Sequence, residues 1–286
     1  MTLVLKGKPV ADALLTVARV RAQALEDRAI VPRLALIRLG EEAGDCFYER
    51  AIIRKMESIG GAVTSIHMRR DIPQEELIDM LKDCSDDPTT HGILLLRPLP
   101  QHLSVETVEN AIDPSKDVDG MCDISLARLM RGKAGANVAC TAQAVVRLLD
   151  YYQFELSGAR VVIIGRSLTV SKPLAYLLIN RNATVSIAHS KTLKLKHLTR
   201  EADIVVSCMG KPHILTSDYF QREAAVIDVG TSSNEAGKIV GDVNFDDVQD
   251  HVQAITPVPG GVGSITTACL CDAVVTCAET IAFPLQ

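Results

Sequence analysis

The 286-residue chain has no run of 18 uninterrupted apolar residues, so nothing in it reads as a membrane span. It has no basic tract, and a formal net charge of -5 argues against the clustered positive surface that a nucleic-acid partner needs. Its eight cysteines (Cys46, Cys84, Cys122, Cys140, Cys208, Cys269, Cys271, Cys277) form no CxxC pair and share no paired histidine spacing. No metal site is therefore expected, and the thiols read as buried groups in a reducing compartment. The opening MTLVLKGKPVADALL has neither an apolar core with a small-residue cleavage site nor an Arg-rich amphipathic leader, which points to the cytoplasm.

With 47% hydrophobic residues, the chain is long enough for two α/β lobes, each with its own core. Apolar residues at helical spacing over Val10 to Arg28 predict an amphipathic helix, and Arg33 to Leu39 a strand. Asp45 to Ile59 is a second helix with Asp45 as its N-cap, stopped by Gly60 and Gly61. Further strands are expected at Ala62 to Met68 and His91 to Arg97, then at Arg160 to Ile164, Thr184 to Ala188, Asp203 to Ser207, Ala225 to Val229 and Gln253 to Thr256. Helices fall between most of them, which predicts a mostly parallel sheet with ligands at the strands' carboxyl ends. The alternation restarts after Gly120. The expected domains are residues 1–120 plus 265–286, and residues 121–264, with the final helix returning to the first lobe.

The stretch RVVIIGRSLTVSKPLAYLL (Arg160 to Leu178) is the most pointed segment: strand, tight turn, helix. Helix-start N–H groups face an incoming anion there, and Gly165 lets the backbone approach it, so a dinucleotide phosphate fits the turn. Ser167 and Ser171 depart from the common GxGxxG spacing, and a plain βα unit that binds nothing is the competing reading.

KDVDG (Lys116 to Gly120), GRSLTVSKP, HSKT (His189 to Thr192), GKP (Gly210 to Pro212), VIDVG (Val226 to Gly230), GDV (Gly241 to Val243) and TPVPGGVG (Thr256 to Gly263) occur in this order. Together they resemble the methylenetetrahydrofolate dehydrogenase/cyclohydrolase family over essentially the whole chain. The resemblance implies an N-terminal folate-binding lobe, a Rossmann-type nucleotide lobe, a homodimer made through the latter, and a tetrahydrofolate substrate. It gives Asp119 the carboxylate that holds the pterin's aminopyrimidine edge, and Tyr48 a place along the folate rings. Pro257, Pro259, Gly260 and Gly261 would approach the substrate, and Gly165, Arg166, Ser167, Ser190, Lys191, Gly230 and Thr231 the cofactor.

Two catalytic positions depart from the family. Ile52 stands where the family has a Lys four residues after the Tyr, and Leu96 stands at its Gln, because GILLLRPLP replaces GILVQLPLP. Removing hydride from the methylene bridge leaves a cation shared by two nitrogens and asks mainly for alignment. Opening the methenyl ring with water requires proton transfers, which hydrocarbon cannot perform. The expectation is a dehydrogenase with weak or absent cyclohydrolase activity, working beside a separate cyclohydrolase. The alternatives are a bifunctional enzyme using Lys55 or another group, and a non-catalytic folate or nucleotide binder.

No acid follows Thr184 to Ala188, where an NAD enzyme usually carries one for the ribose hydroxyls. Arg166 and Ser190 resemble contacts to a 2′-phosphate and Lys191 adds charge, so NADP is expected over NAD.

Overall fold

A computed structural model describes residues 2–133, 135–234 and 237–283. In chain order it contains β1 (Leu3–Val4), α1 (Gly7–Glu26), β2 (Arg33–Leu39), α2 (Ala43–Ser58), β3 (Ala62–Met68), α3 (Gln74–Asp86), β4 (Gly92–Leu95), α4 (Val105–Glu109), α5 (Asp123–Met130) and α6 (Cys140–Tyr151). Then follow β5 (Arg160–Ile164), α7 (Ser171–Ile179), β6 (Thr184–Ala188), α8 (Leu195–Arg200), β7 (Ile204–Ser207), β8 (Ala225–Asp228), β9 (Ser232–Ser233), β10 (Ile239–Val240), α9 (Phe245–Val248), β11 (Ala254–Ile255) and α10 (Gly263–Ala282). The two-domain α/β class expected from the alternation is the one observed.

The chain forms two compact units. One joins residues up to Ala11 with Thr141–Thr266, and the other joins Asp12–Cys140 with the chain from Thr267 onward. The last helix thus does return to the N-terminal unit. The division differs from the expected boundaries by two residues at 265–266, which stay with the six-stranded unit, and more widely at two places. Residues before Asp12 go with the six-stranded unit because β1 pairs with β11, Leu3 to Ala254 and Val4 to Ile255. Residues 121–140 stay with the three-stranded unit because its polar groups stitch them down. Asp117 accepts Met121 N–H at 3.0 Å and Cys122 N–H at 2.9 Å, and Asn137 donates to Pro114 O at 3.0 Å.

In the six-stranded unit the order is β1-β11-β8-β7-β5-β6, all parallel. The chain runs outward from β5 in both directions, so the crevice at the strands' carboxyl ends lies between β5 and β7. Val162, Ile164, Val205, Val226 and Ile255 supply the sheet's share of one buried cluster. The three-stranded unit has the order β3-β2-β4, again parallel, with Ala35, Ile37, Ile93 and Leu95 packed against Leu77, Leu81, Val108 and Ile112.

Local chemistry explains the remaining differences. Helix α2 begins two residues before Asp45, with Glu42 at the N-cap and no side-chain cap bond, so Asp45 serves the helix dipole from the first turn instead of capping it. The hairpin β9–β10 and the two-residue β1 carry too few residues for a period-2 pattern to show. Helix α10 is long and apolar enough by composition to cross a bilayer, yet Ile265, Ala268, Leu270, Val274, Val275 and Ala278 are all buried, which accounts for its apolarity.

Candidate functional site

Helix α2 is locked to its sheet through Glu49. Its carboxylate, 5% exposed as a residue, takes Arg38 Nε at 2.9 Å and His67 Nε2 at 2.8 Å. Burial alone would raise the Glu49 pKa, but hydrogen bonds to His67, Ser65 and Arg38 outweigh it and hold the carboxyl below its ordinary value. This anchor aims the adjacent Tyr48. The phenol faces Asp119, Cys140, and Thr267 and Cys271 of α10, and its pKa is raised, first by burial and then by Cys140, Asp119 and Cys271, against the hydrogen bond with Thr267.

Asp119 lies at the start of α6, where Cys140 N–H donates to Oδ1 at 2.9 Å. Removal from water pushes its pKa up to about 6, with Asp117 adding to the rise and the bonds from Cys140 and the charge of Arg97 opposing it. The folded chain therefore holds this proton more tightly than the unfolded one. Its stability contribution is full below the unfolded value and is lost as pH rises through about 6, whereas the aminopyrimidine edge that the family resemblance assigns to Asp119 would need the carboxylate. We expect kcat/KM for folate to fall below pH 6 by about tenfold per unit, with kcat less affected, as a pH profile would measure.

Ile52 and Leu96 are buried hydrocarbon, 0% and 7% exposed. Lys55, one turn on, is half-buried. Burial lowers its pKa while Cys271, Asp12 and Cys269 oppose the shift, which places its ammonium against α10 and α1. Cys271 itself is pushed up to about 12 by burial, and burial also raises Cys140 well above its ordinary value, so neither thiol is a ready nucleophile. All eight cysteines are free, and no cluster of metal-ligating side chains occurs among the described residues.

The six-stranded unit carries the phosphate turn. Gly165 has φ 145°, and a Cβ there would meet Ser171 Oγ at 2.7 Å and Cys208 O at 2.8 Å, so only glycine allows this close approach at the β5/β7 crevice. Ser167 Oγ accepts Val170 N–H at 3.2 Å and Ser171 N–H at 3.3 Å, which commits it to the turn. Arg166, Ser190 and Lys191 are exposed. The loop behind the last two is closed by His189 N–H to Thr192 Oγ1 at 2.8 Å and Lys191 N–H to His189 Nδ1 at 3.2 Å, which turns both outward. This glycine cradle, with exposed cationic and hydroxyl groups and no acid in the His189–Thr192 turn, fits a nicotinamide dinucleotide bearing a 2′-phosphate.

Sequence reasoning left Asp228 without a role and passed over Asp242 as an individual residue. Asp242, 0% exposed, accepts Ser207 Oγ at 2.6 Å, Met209 N–H at 2.7 Å and Lys211 N–H at 2.7 Å. Asp228 accepts Gly230 N–H at 3.0 Å, Asp242 N–H at 3.2 Å and Val243 N–H at 2.8 Å, and its N–H donates to Thr256 Oγ1 at 2.7 Å. Burial raises the Asp228 pKa to about 7, against the pull of these donors. Together the two acids pin the loops after β7 and β8. A Cβ on Gly230 would strike the Asp242 carboxyl at 2.2 Å, so the glycine is dictated by that contact, and Thr231 beside it is exposed. Pro257, Pro259, Gly260 and Gly261 also lie in this unit, apart in the chain from Tyr48 and Asp119. Gly7 N–H donates to Gly260 O at 2.8 Å, and a Cβ on Gly7 would meet Gly261 O at 2.0 Å.

Two family models match the chain: the tetrahydrofolate dehydrogenase/cyclohydrolase catalytic domain over residues 5–119 and its NAD(P)-binding domain over residues 139–282. A bifunctional protein FolD of Clostridium botulinum is 39% identical over 279 residues, covering 98% of this chain and 99% of the relative. The crystal structure of a bifunctional FolD methylenetetrahydrofolate dehydrogenase/cyclohydrolase from Campylobacter jejuni superposes with a TM-score of 0.96 at 35% identity, covering 98% and 99% of the two chains. A Trypanosoma brucei enzyme, a methylenetetrahydrofolate dehydrogenase-cyclohydrolase complexed with NADP and an inhibitor, gives 0.93 at 31% identity, covering 99% of each.

Proposed function

Because this chain belongs to the tetrahydrofolate dehydrogenase/cyclohydrolase family, we propose that it oxidises 5,10-methylenetetrahydrofolate to the methenyl form with NADP, and that it opens the methenyl ring weakly or not at all. The nicotinamide, when bound, takes the hydride. Asp119 accepts the two adjacent N–H groups of the aminopyrimidine, and Tyr48, held by the Glu49 anchor, lies along the rings to align the methylene bridge. Arg166, Ser190 and Lys191 receive the 2′-phosphate, while Gly230 and Thr231 lie on the loop that Asp228 and Asp242 hold. The family resemblance gives the backbone of Pro257, Pro259, Gly260 and Gly261 a part in binding the substrate.

The observation that carries the loss of ring opening is Ile52, which is 0% exposed and has no proton to give at the position where the family resemblance implies a Lys. The relatives are named for both activities, so the decisive measurement is the product. In a spectrophotometric assay methenyltetrahydrofolate accumulates; prompt enzymatic formation of the formyl product would refute the assignment. A separate cyclohydrolase then takes that product in the cytoplasm, where we place this chain as a homodimer of 30.9-kDa subunits. For the cofactor, Arg166→Ser is expected to raise the KM for NADP by roughly tenfold or more while leaving NAD nearly unchanged, since it removes one charge-assisted contact to the 2′-phosphate. Equal loss with both nucleotides would overturn that role.

A further inference from the structure

A partly buried ion pair stands beside Asp119. Arg97 pairs with Glu109 of α4, and the two side chains are 26% and 13% exposed. The backbone explains the neighbourhood: Ile93 of β4 bridges Asp117 in parallel, with Ile93 N–H donating to Lys116 O at 2.7 Å. The two segments leave that bridge side by side, one toward Arg97 and the other toward Asp119. The Arg97 charge accordingly acts on Asp119 and Asp117, while burial lowers its own pKa. Asp117 is committed to Met121 N–H and Cys122 N–H, and Asp119 is faced besides by Tyr48 and Cys140.

Such a partly exposed pair is weak evidence of a stabilising role. What the pair does supply is a guanidinium held in place. Glu109 occupies part of its fork, and the remaining N–H groups are donors only. The edge of a 2-amino-4-oxo pyrimidine presents two adjacent N–H donors and then a carbonyl acceptor.

We propose that Arg97, positioned by Glu109, is a specificity-determining residue that donates to the 4-oxo group of the pterin while Asp119 accepts from the two neighbouring N–H groups. This rests on the folate reading above. The three-point match selects 4-oxo over 4-amino rings, because an amino group at that place would set donor against donor.

The test is calorimetric binding, with NADP present, of tetrahydrofolate and of its 2,4-diamino analogue to the full-length parent, Arg97→Leu and Arg97→Lys. The parent-to-variant change in the ratio of the two affinities cancels the contribution of Asp119. Arg97→Leu is expected to shrink the preference for the 4-oxo ligand by roughly 10- to 100-fold, the worth of a hydrogen bond to a charged group. Arg97→Lys should retain part of it, and the NADP affinity should not move. Since Arg97→Leu strands Glu109, the double variant Arg97→Leu/Glu109→Leu serves as the folded control and should show the same loss. A ratio that stays put in these variants, with tetrahydrofolate still bound, overturns the role of Arg97 alone. Failure of the parent to bind tetrahydrofolate at all overturns the folate reading and this inference with it.

Discussion

The double variant Ile52→Lys/Leu96→Gln is expected to open the methenyl ring at least about 100-fold faster than the parent chain, because proton transfer by a positioned group contributes about 10² to 10⁴. Both side chains it replaces are buried, at 0% and 7% exposure, so an ammonium placed at position 52 is stripped of water. That desolvation lowers its pKa toward neutrality, the range where it can both take and give a proton. The same burial costs stability, on the order of 3 kcal/mol before any compensation by the new Gln, or about 6–12 °C in melting temperature. The dehydrogenase reaction should persist, because Tyr48 and Asp119 keep their supports in Glu49 and Cys140 N–H. Stopped-flow separation of the methenyl and formyl products reads both steps. If the parent already matches the double variant, some other proton carrier is at work; Lys55, whose neighbour Cys271 also faces Tyr48, is then the residue to remove next.

Asp242→Ala should be the most damaging substitution in the six-stranded unit. It leaves Ser207 Oγ, Met209 N–H and Lys211 N–H without their shared acceptor in a site that is 0% exposed. Each buried donor left unpaired costs about 1–3 kcal/mol, and three together approach the 5–15 kcal/mol that hold a typical domain folded. The loops after β7 and β8 loosen first, so NADP affinity should drop by at least roughly 100-fold at temperatures where the unit is still folded. Asp242→Asn retains one acceptor oxygen but turns an NH₂ toward donors, and it should lie between the two. Thermal unfolding with and without NADP measures the effect. An Asp242→Ala protein that binds NADP as the parent does would show that these loops hold their shape without the acid.

The strand and helix alternation was legible from residue periodicity, since a strand such as Arg33–Leu39 and a helix such as Gln74–Asp86 each carry several repeats of their own pattern. Asp119, Tyr48, Arg166 and the Gly165 turn were legible only as candidates, because they sit in short segments whose order and spacing resemble the family's. Asp242 was not, because its importance is made of partners drawn from residues 207–211, more than 30 positions away. Nor was Arg97, whose partner Glu109 lies on α4 and whose strand runs beside the Asp117 segment.

The linear order of residues by itself determined the longer strands and helices, that two α/β units result, and that positions 52 and 96 are hydrocarbon. Only the tertiary structure decided that Leu3–Val4 joins a sheet through residues 254–255, that 121–140 belong with the three-stranded unit, and that buried carboxylates bind distant loops together. Periodicity is a property of neighbours along the chain, whereas a buried polar group must find its partner wherever the fold brings one, and that requirement leaves no local mark.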